Sequence, residues 1–177
     1  MSLAWILALI ARLLVTGCLH EDGLADFFDG FGGGTTRERT LAIMKDSHIG
    51  SYGVIGLICY FLLLLQLHHL PLGLLCILVL SGDCWSKFCA SQIVNYLPYA
   101  RKEEDSKSKT VYNRMSWHEL LAGFLCGLLP FVLLLPIKLW IATLFPLLTF
   151  FLLYRLMKRR LQGYTGCLLY TSPSPRD

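Results

Sequence analysis

The stretch His20-Glu-Asp-Gly-Leu-Ala-Asp-Phe-Phe-Asp-Gly-Phe-Gly-Gly-Gly34 decides how the rest of the chain is interpreted. It is densely acidic and rich in glycine, whereas the sequence around it is mostly apolar. Asp22, Asp26 and Asp29 are spaced i, i+4 and i+7, so a helix would carry all three carboxylates on one face. Because like charges one turn apart repel, this face predicts a bound cation, and Mg²⁺ favours carboxylate and phosphate oxygens. A solvated acidic helix face is the alternative.

The composition predicts a membrane protein. Of the 177 residues, 55% are hydrophobic and 16% are charged, and the mean hydropathy is +0.55. Several apolar runs approach the roughly 20 residues that a helix needs to cross a bilayer. We therefore expect an all-α fold, a polytopic transmembrane helical bundle with about five spans and the lipid bilayer as a partner. No basic stretch is interleaved with aromatic residues, so nucleic acid is not an expected partner.

The five predicted spans are separated by proline, glycine and charged residues. They cover residues 3–19, 52–67, 72–97, 119–136 and 140–154. The first contains Arg12, and because no small-x-small cleavage site precedes His20 we favour a span over a signal peptide. We interpret residues 20–50 as a polar loop. Asp83 and Lys87 are spaced i, i+4 within the third span, which indicates an ion pair inside the bundle or, alternatively, a cavity lining.

The distribution of basic residues predicts the orientation. With five spans, the segments 20–50 and 101–117 and the tail after Tyr154 lie on one side of the membrane. These segments hold most of the lysines and arginines, whereas the opposite side has only Lys138 near a span end. The positive-inside rule then places the acidic motif in the cytoplasm.

Five blocks of sequence carry a resemblance to a known family. They are His20-Glu-Asp-Gly-Leu-Ala-Asp26-x-x-Asp29-Gly30, Arg37-Glu-Arg39, Ile43-Met-Lys-Asp-Ser47-His-Ile-Gly50-Ser-Tyr-Gly53, Leu97-Pro-Tyr-Ala-Arg101 and Gly163-Tyr-Thr-Gly166. In them the chain resembles cobalamin synthase, the adenosylcobinamide-GDP ribazoletransferase family of bacteria and archaea. The resemblance implies that residues 1–166 are part of an integral membrane domain of this kind. Family members usually have further sequence at both ends, so we expect a fragment truncated at both ends. Residues 167–177 would then be a disordered or artefactual tail outside the family.

The resemblance also implies a reaction. Such an enzyme transfers the adenosylcobinamide phosphate moiety from adenosylcobinamide-GDP to α-ribazole or α-ribazole 5′-phosphate and releases GMP. This step completes the nucleotide loop in cobalamin biosynthesis. The implied location is the bacterial inner membrane. The resemblance is also compatible with an oligomer.

Two other functions compete with this one. Another magnesium-dependent membrane phosphotransferase, of the CDP-alcohol type, would also place aspartates beside membrane helices, but the Ala-Arg pattern of those enzymes is absent here. A transporter subunit would explain charges within spans, such as Arg12, Asp83 and Lys87.

The family implies roles for acidic residues of the motif and its surroundings. Asp22, Asp26 and Asp29 would hold Mg²⁺ against the pyrophosphate, and Asp46 would add a ligand or help to activate the nucleophile. His20 or Glu21 would act as a general base, or alternatively as an interfacial cap.

Basic residues and glycines would bind the phosphates. Lys45 would act in catalysis by neutralising phosphate charge, and the implied substrate-binding residues are Gly30, Gly32, Gly33, Gly34, Arg37, Arg39 and Arg101. Each set has an alternative: the arginines near the motif satisfy the positive-inside bias, the glycines form a plain turn, and Arg101 anchors the chain at lipid head groups.

Overall fold

A computed structural model of the chain describes residues 3–100 and 114–165. Arg101 and the tail 167–177 lie outside the described residues. The helices are α1 (Leu3–Thr16), α2 (Leu19–Gly33), α3 (Arg37–Ile43), α4 (Ser51–Gln66), α5 (Leu72–Ser91), α6 (Ile93–Tyr96), α7 (Trp117–Leu134) and α8 (Leu144–Arg160). Short 3₁₀ helices occupy Leu67–His69 and Ile137–Thr143. The described ranges contain no β-strand, which confirms the expected all-α fold.

Four helical segments are long and apolar enough to cross a bilayer. They are Ser51–His69, Leu72–Tyr96, Trp117–Leu134 and Ile137–Arg160. Helices α1 and α2 together qualify as a fifth, but they are bent by 85° at the break between them. Four to five spans confirm the predicted helical membrane bundle.

The structure of the first 50 residues differs from the prediction in two respects. Residues 20–50 are not an extended polar loop, because α2 and α3 occupy most of them. The first apolar helix has only 14 residues, fewer than the roughly 20 required for a span, so it qualifies as a span only together with α2. It ends where Gly17 and Cys18 adopt positive φ angles of 59° and 57°, a conformation that a right-handed helix cannot continue.

The chain divides into two compact units, one containing α1–α4 and the other containing α5–α8. The core of the second unit consists of Trp85, Cys89, Phe131 and Leu135. The indole N–H of Trp85 donates to the backbone carbonyl of Thr143 at 3.0 Å, which satisfies the polar atom of a buried ring.

Two of the family-like blocks meet in the second unit. Tyr99 and Tyr164 form an isolated β-bridge, in which the Ala100 amide donates to the Tyr164 carbonyl at 2.8 Å and the Tyr164 amide donates to the Pro98 carbonyl at 2.9 Å. A Cβ at Gly163 would lie 2.6 Å from the Pro98 carbonyl oxygen, so the close approach requires glycine there.

Candidate functional site

The acidic helix α2 packs closely against α4 because glycines on each helix accept large side chains of the other. The Phe28 ring of α2 occupies the space where Gly56 of α4 would carry a Cβ. The reverse arrangement holds for Tyr52 of α4, whose ring lies 2.6 Å from the Cβ position of Gly32. Small residues at a helix contact let two backbones approach, which is a common basis of helix association in membranes.

The same device joins α2 to the segment that follows it. Side chains of Met44 and Thr40 fill the Cβ positions of Gly30 and Gly34, respectively. These contacts, with that of Gly32, give three of the four predicted phosphate-binding glycines a packing role.

Asp29 is the most enclosed of the three motif aspartates, with 7% of its surface exposed. The backbone amide of Gly50 donates to its Oδ2 at 2.7 Å, and the backbone amide of Gly53 donates to its Oδ1 at 2.8 Å. Asp22 and Asp26 lie on the same helix and are partly buried. Within residues 3–100 and 114–165, no group of three or more His, Cys, Asp and Glu side chains is close enough to hold a metal ion. The structure therefore does not assemble the three aspartates as one ligand group.

A cleft of about 420 Å³ opens between α2, α3 and the start of α4. Its polar lining residues are Asp29, Arg39, Asp46, His48, Ser51 and Tyr52, and Gly33 also contributes to the wall. The cleft thus combines a cation with carboxylates and hydroxyls, which is chemistry suited to a phosphate-containing ligand.

Asp46 and His48 form a local pair on this cleft. The Oδ1 atom of Asp46 accepts from the His48 backbone amide at 3.0 Å and lies 2.6 Å from the His48 Nδ1 atom. The side-chain hydrogen bond with His48 is the main reason that the pKa of Asp46 lies below its ordinary value. The resulting stabilisation is present above the ordinary pKa of aspartate and is lost as the pH falls through the lowered one.

A second polar cluster joins α1, α2 and α4. The Arg12 guanidinium lies 3.2 Å from Oε1 of Glu21 and donates to the Tyr60 hydroxyl oxygen at 2.7 Å. The Tyr60 hydroxyl in turn donates to the same Glu21 oxygen at 3.5 Å. Glu21 is only 5% exposed, and its Oε2 has no hydrogen-bond partner among the described residues. The charge of Arg12, which interrupts an apolar helix, is thus paired with a carboxylate, as charges among apolar segments of membrane proteins generally are.

The structure places only part of the predicted site together. Asp29, Asp46, Arg39 and Gly33 line the cleft. Arg37 is partly buried and Lys45 is exposed. The roles predicted for these residues remain predictions, as does that of Arg101.

His48, Ser51 and Tyr52 line the cleft, although no role was predicted for them from the sequence. All three stand inside the block Ile43–Gly53 of the family resemblance, which was the available signal. The spacing of Asp46 and His48 is a further local signal, because an aspartate side chain often accepts from the backbone two residues on.

The helices, their hydropathy and the polar cleft define a multi-pass helical membrane protein with a candidate site for a phosphate-containing ligand. Comparison with known families makes this more specific. The family described as Cobalamin-5-phosphate synthase matches residues 1–169, and the chain belongs to it. No solved structure matches the chain.

Curated relatives agree with the family assignment. An adenosylcobinamide-GDP ribazoletransferase of Shewanella amazonensis is 43% identical over 180 residues, with 93% of this chain and 65% of the relative covered. The protein of the same name in Shewanella pealeana is 36% identical over 169 residues, with the same coverage. Its namesake in Vibrio parahaemolyticus is 42% identical over 123 residues, covering 67% of this chain and 46% of the relative. The chain thus spans less than two thirds of the length of these relatives.

Proposed function

We propose that the chain acts in the transfer of the adenosylcobinamide phosphate moiety from adenosylcobinamide-GDP to α-ribazole or α-ribazole 5′-phosphate, with release of GMP. The observation that carries the proposal is the family match over residues 1–169. The names of the Shewanella relatives, at 36–43% identity, support adenosylcobinamide-GDP and ribazole as the two reactants. No observation favours a CDP-alcohol phosphotransferase or a transporter subunit over this assignment.

The reaction is a displacement at phosphorus. A ribose hydroxyl of the acceptor forms a new bond to the phosphorus next to the cobinamide, the bond of that phosphorus to the bridging oxygen breaks, and GMP leaves with that oxygen. The hydroxyl proton passes to a base or to water. Catalysis of this kind consists mainly of positioning the reactants and neutralising the charge that spreads over the phosphate oxygens.

The cleft residues match these requirements. Arg39 supplies a cation whose planar guanidinium binds phosphate oxygens in pairs, and Arg37 and Lys45 add positive charge on neighbouring positions. Asp46 lines the same cleft, with its carboxylate held against His48, and would add a ligand or help to activate the nucleophile.

The acidic helix also fits Mg²⁺, which proteins commonly hold through one or two carboxylates together with substrate phosphates. Asp22 and Asp26 are one helical turn apart and partly buried on α2, so they offer two such carboxylates. Bound there, the ion would neutralise the charge of the pyrophosphate. We assign the motif to the cytoplasmic face of the bacterial inner membrane, since the basic segments that flank it favour that side.

Complementation tests the proposal. A strain that lacks its ribazoletransferase is supplied with cobinamide and α-ribazole. It expresses a chimera in which residues 1–169 of this chain replace the matching part of the Shewanella amazonensis relative. We expect cobalamin-dependent growth, and we expect Asp26→Asn to abolish it at equal membrane abundance.

Asp83→Asn is the matched control, because Asp83 is an exposed residue of α5 whose carboxylate pairs with Lys87 at 2.7 Å. We expect growth with this variant. Failure of the unsubstituted chimera to support growth, with normal insertion in the membrane, would contradict the proposed function.

A further inference from the structure

Asp29 is engaged in a way that distinguishes it from the other aspartates of the motif. Each of its two carboxylate oxygens accepts a hydrogen bond from a backbone amide at the start of α4. Gly50, the N-cap residue, donates to one oxygen, and Gly53 donates to the other. Gly50 and Gly53 follow Asp29 in the sequence by 21 and 24 residues, respectively. The bonds therefore join two separate helices.

These two amides are groups that a helix start leaves unpaired. The first amides of an α-helix have no partner within the helix and are usually satisfied by the side chain of the N-cap residue. Gly50 is the N-cap of α4 and has no side chain to do so. Asp29 takes over this function from α2, and its negative charge also interacts favourably with the positive end of the helix dipole.

The surroundings of the carboxylate suit this arrangement. A Cβ at Gly50 would lie 2.5 Å from Oδ1 of Asp29, and a Cβ at Gly53 would overlap Oδ2. Only two glycines at these positions leave room for the carboxylate to reach the amides. The enclosure that they create accounts for the low exposure of Asp29.

We propose that Asp29 is a positioning residue that caps α4 from α2, and that it is not a ligand of the metal. The first turn of α4 supplies Ser51 and Tyr52 to the cleft wall. By fixing the position of that turn, Asp29 positions these two side chains in the cleft. Asp22 and Asp26 are then the aspartates of the motif that bind the metal. The statement about the metal rests on the proposed function, whereas the capping role does not.

A cap exchange tests the capping role. Asp29→Ala removes both acceptors and frees the space next to Gly50. Gly50→Ser then restores an acceptor from within α4, because Gly50 has the extended backbone (φ −94°, ψ 176°) of an ordinary N-cap residue. Gly50→Ser alone should be damaging, since its Cβ would collide with the intact Asp29 carboxylate. Each single variant is thus expected to be worse than the double variant.

Hydrogen exchange in the full chain, reconstituted in nanodiscs, reports this directly and requires no activity. In Asp29→Ala we expect the amides at the start of α4 to exchange about tenfold faster, the size of effect that loss of a cap produces. We expect the double variant to recover most of the protection. Asp29→Asn is the milder variant if Asp29→Ala does not fold. Its side chain keeps one oxygen that accepts from a backbone amide, whereas the other backbone amide would face the NH₂ group of the asparagine. Unchanged exchange in Asp29→Ala, or no recovery in the double variant, would overturn the capping role.

Binding of Mn²⁺ alone, followed by electron paramagnetic resonance, tests the statement about the metal. We expect the double variant Asp29→Ala/Gly50→Ser to bind Mn²⁺ within about twofold of the unsubstituted chain. Asp26→Asn, which removes a direct ligand, should weaken binding by at least the roughly 10- to 100-fold that loss of an outer-shell partner costs. Loss of Mn²⁺ affinity in the double variant, despite restored protection of α4, would show that Asp29 is a ligand. Failure of the unsubstituted chain to bind Mn²⁺ would count against the proposed metal and leave the exchange result to decide the cap.

Discussion

The contact between α2 and α4 and the contact between α5 and α7 use glycine in the same way but fill the space differently. In the second contact, Phe88 of α5 packs against Gly123 and Gly127 of α7, at 3.1 and 3.0 Å from their Cβ positions. Trp85 and Phe124 surround Phe88 with ring-centroid distances of 5.5 and 5.8 Å.

The first contact replaces part of this aromatic packing with polar groups. Phe28 and Gly56 repeat the pattern of ring against glycine, but the neighbouring position is a buried carboxylate that caps a helix. In lipid, helix association depends on close packing and on hydrogen bonds rather than on exclusion of water. The α5–α7 contact uses the first of these means and the α2–α4 contact uses both. The polar cleft also lies in the first unit, between α2, α3 and the start of α4, which is where the proposed function places the site.

The largest effect is expected from filling the glycine contact of the first unit. In Gly56→Leu the added side chain would collide with the Phe28 ring, and overpacking of this kind costs up to about 3 kcal/mol. We expect a loss of that order in the free energy of unfolding, measured by titration with denaturing detergent, and partial recovery when Phe28→Ala is added.

Gly127→Leu is the counterpart in the second unit, where the leucine would meet Phe88 and Trp85. It should destabilise the chain to a similar extent but leave Mn²⁺ binding of the remaining folded protein unchanged. Equal loss of Mn²⁺ binding in the two folded variants would argue against a site formed in the first unit.

A somewhat smaller effect is expected at the polar cluster that joins α1, α2 and α4. Arg12→Ala leaves the enclosed Glu21 carboxylate without its charged partner, which for a buried pair costs about 3–5 kcal/mol. Because the Arg12 side chain is 39% exposed, we expect a lower cost of about 2–3 kcal/mol. The double variant Arg12→Met/Glu21→Gln should recover most of it, since no buried charge remains. A double variant as unstable as Arg12→Ala would contradict this explanation.

The smallest effect is expected from the hydrogen bond that the Trp85 indole makes in the aromatic core. Trp85→Phe removes the hydrogen bond from the indole to the Thr143 carbonyl, which should cost about 1 kcal/mol. Thermal unfolding in nanodiscs measures the change. Because the ring that remains still packs against Phe88, the hydrogen exchange of α4 should not respond, and a response there would link the core to the site.

Hydropathy alone predicted most of the membrane helices. The i, i+4, i+7 spacing of Asp22, Asp26 and Asp29 indicated one face of a helix, and α2 confirms that these residues are helical. The bend after α1 could not be predicted in the same way, because Cys18 adopts a left-handed conformation that this residue type rarely favours. Residues 20–50 were interpreted as a loop because their polarity resembles that of loops, whereas packing against α4 is what makes α2 helical.

The role of Asp29 shows the limit most clearly. Its spacing with Asp22 and Asp26 predicted a shared ligand set, which stays a prediction. Its hydrogen bonds to Gly50 and Gly53, far along the chain, were not predicted. Nothing in a local pattern reveals a partner at that separation. His48 and Ser51 were within reach of prediction, because they belong to a motif that had already been identified.

The central claim is that the acidic helix of the first unit performs the chemistry. The most direct test is GMP release from adenosylcobinamide-GDP in the presence of α-ribazole and Mg²⁺, with the chimera reconstituted in nanodiscs. Asp26→Asn and Asp83→Asn make the same chemical change, one in each unit. The account predicts that Asp26→Asn lowers the rate by at least about 100-fold, while Asp83→Asn stays within about threefold of the unsubstituted protein, as exposed ion pairs contribute little. Equal rates for the two variants would contradict it.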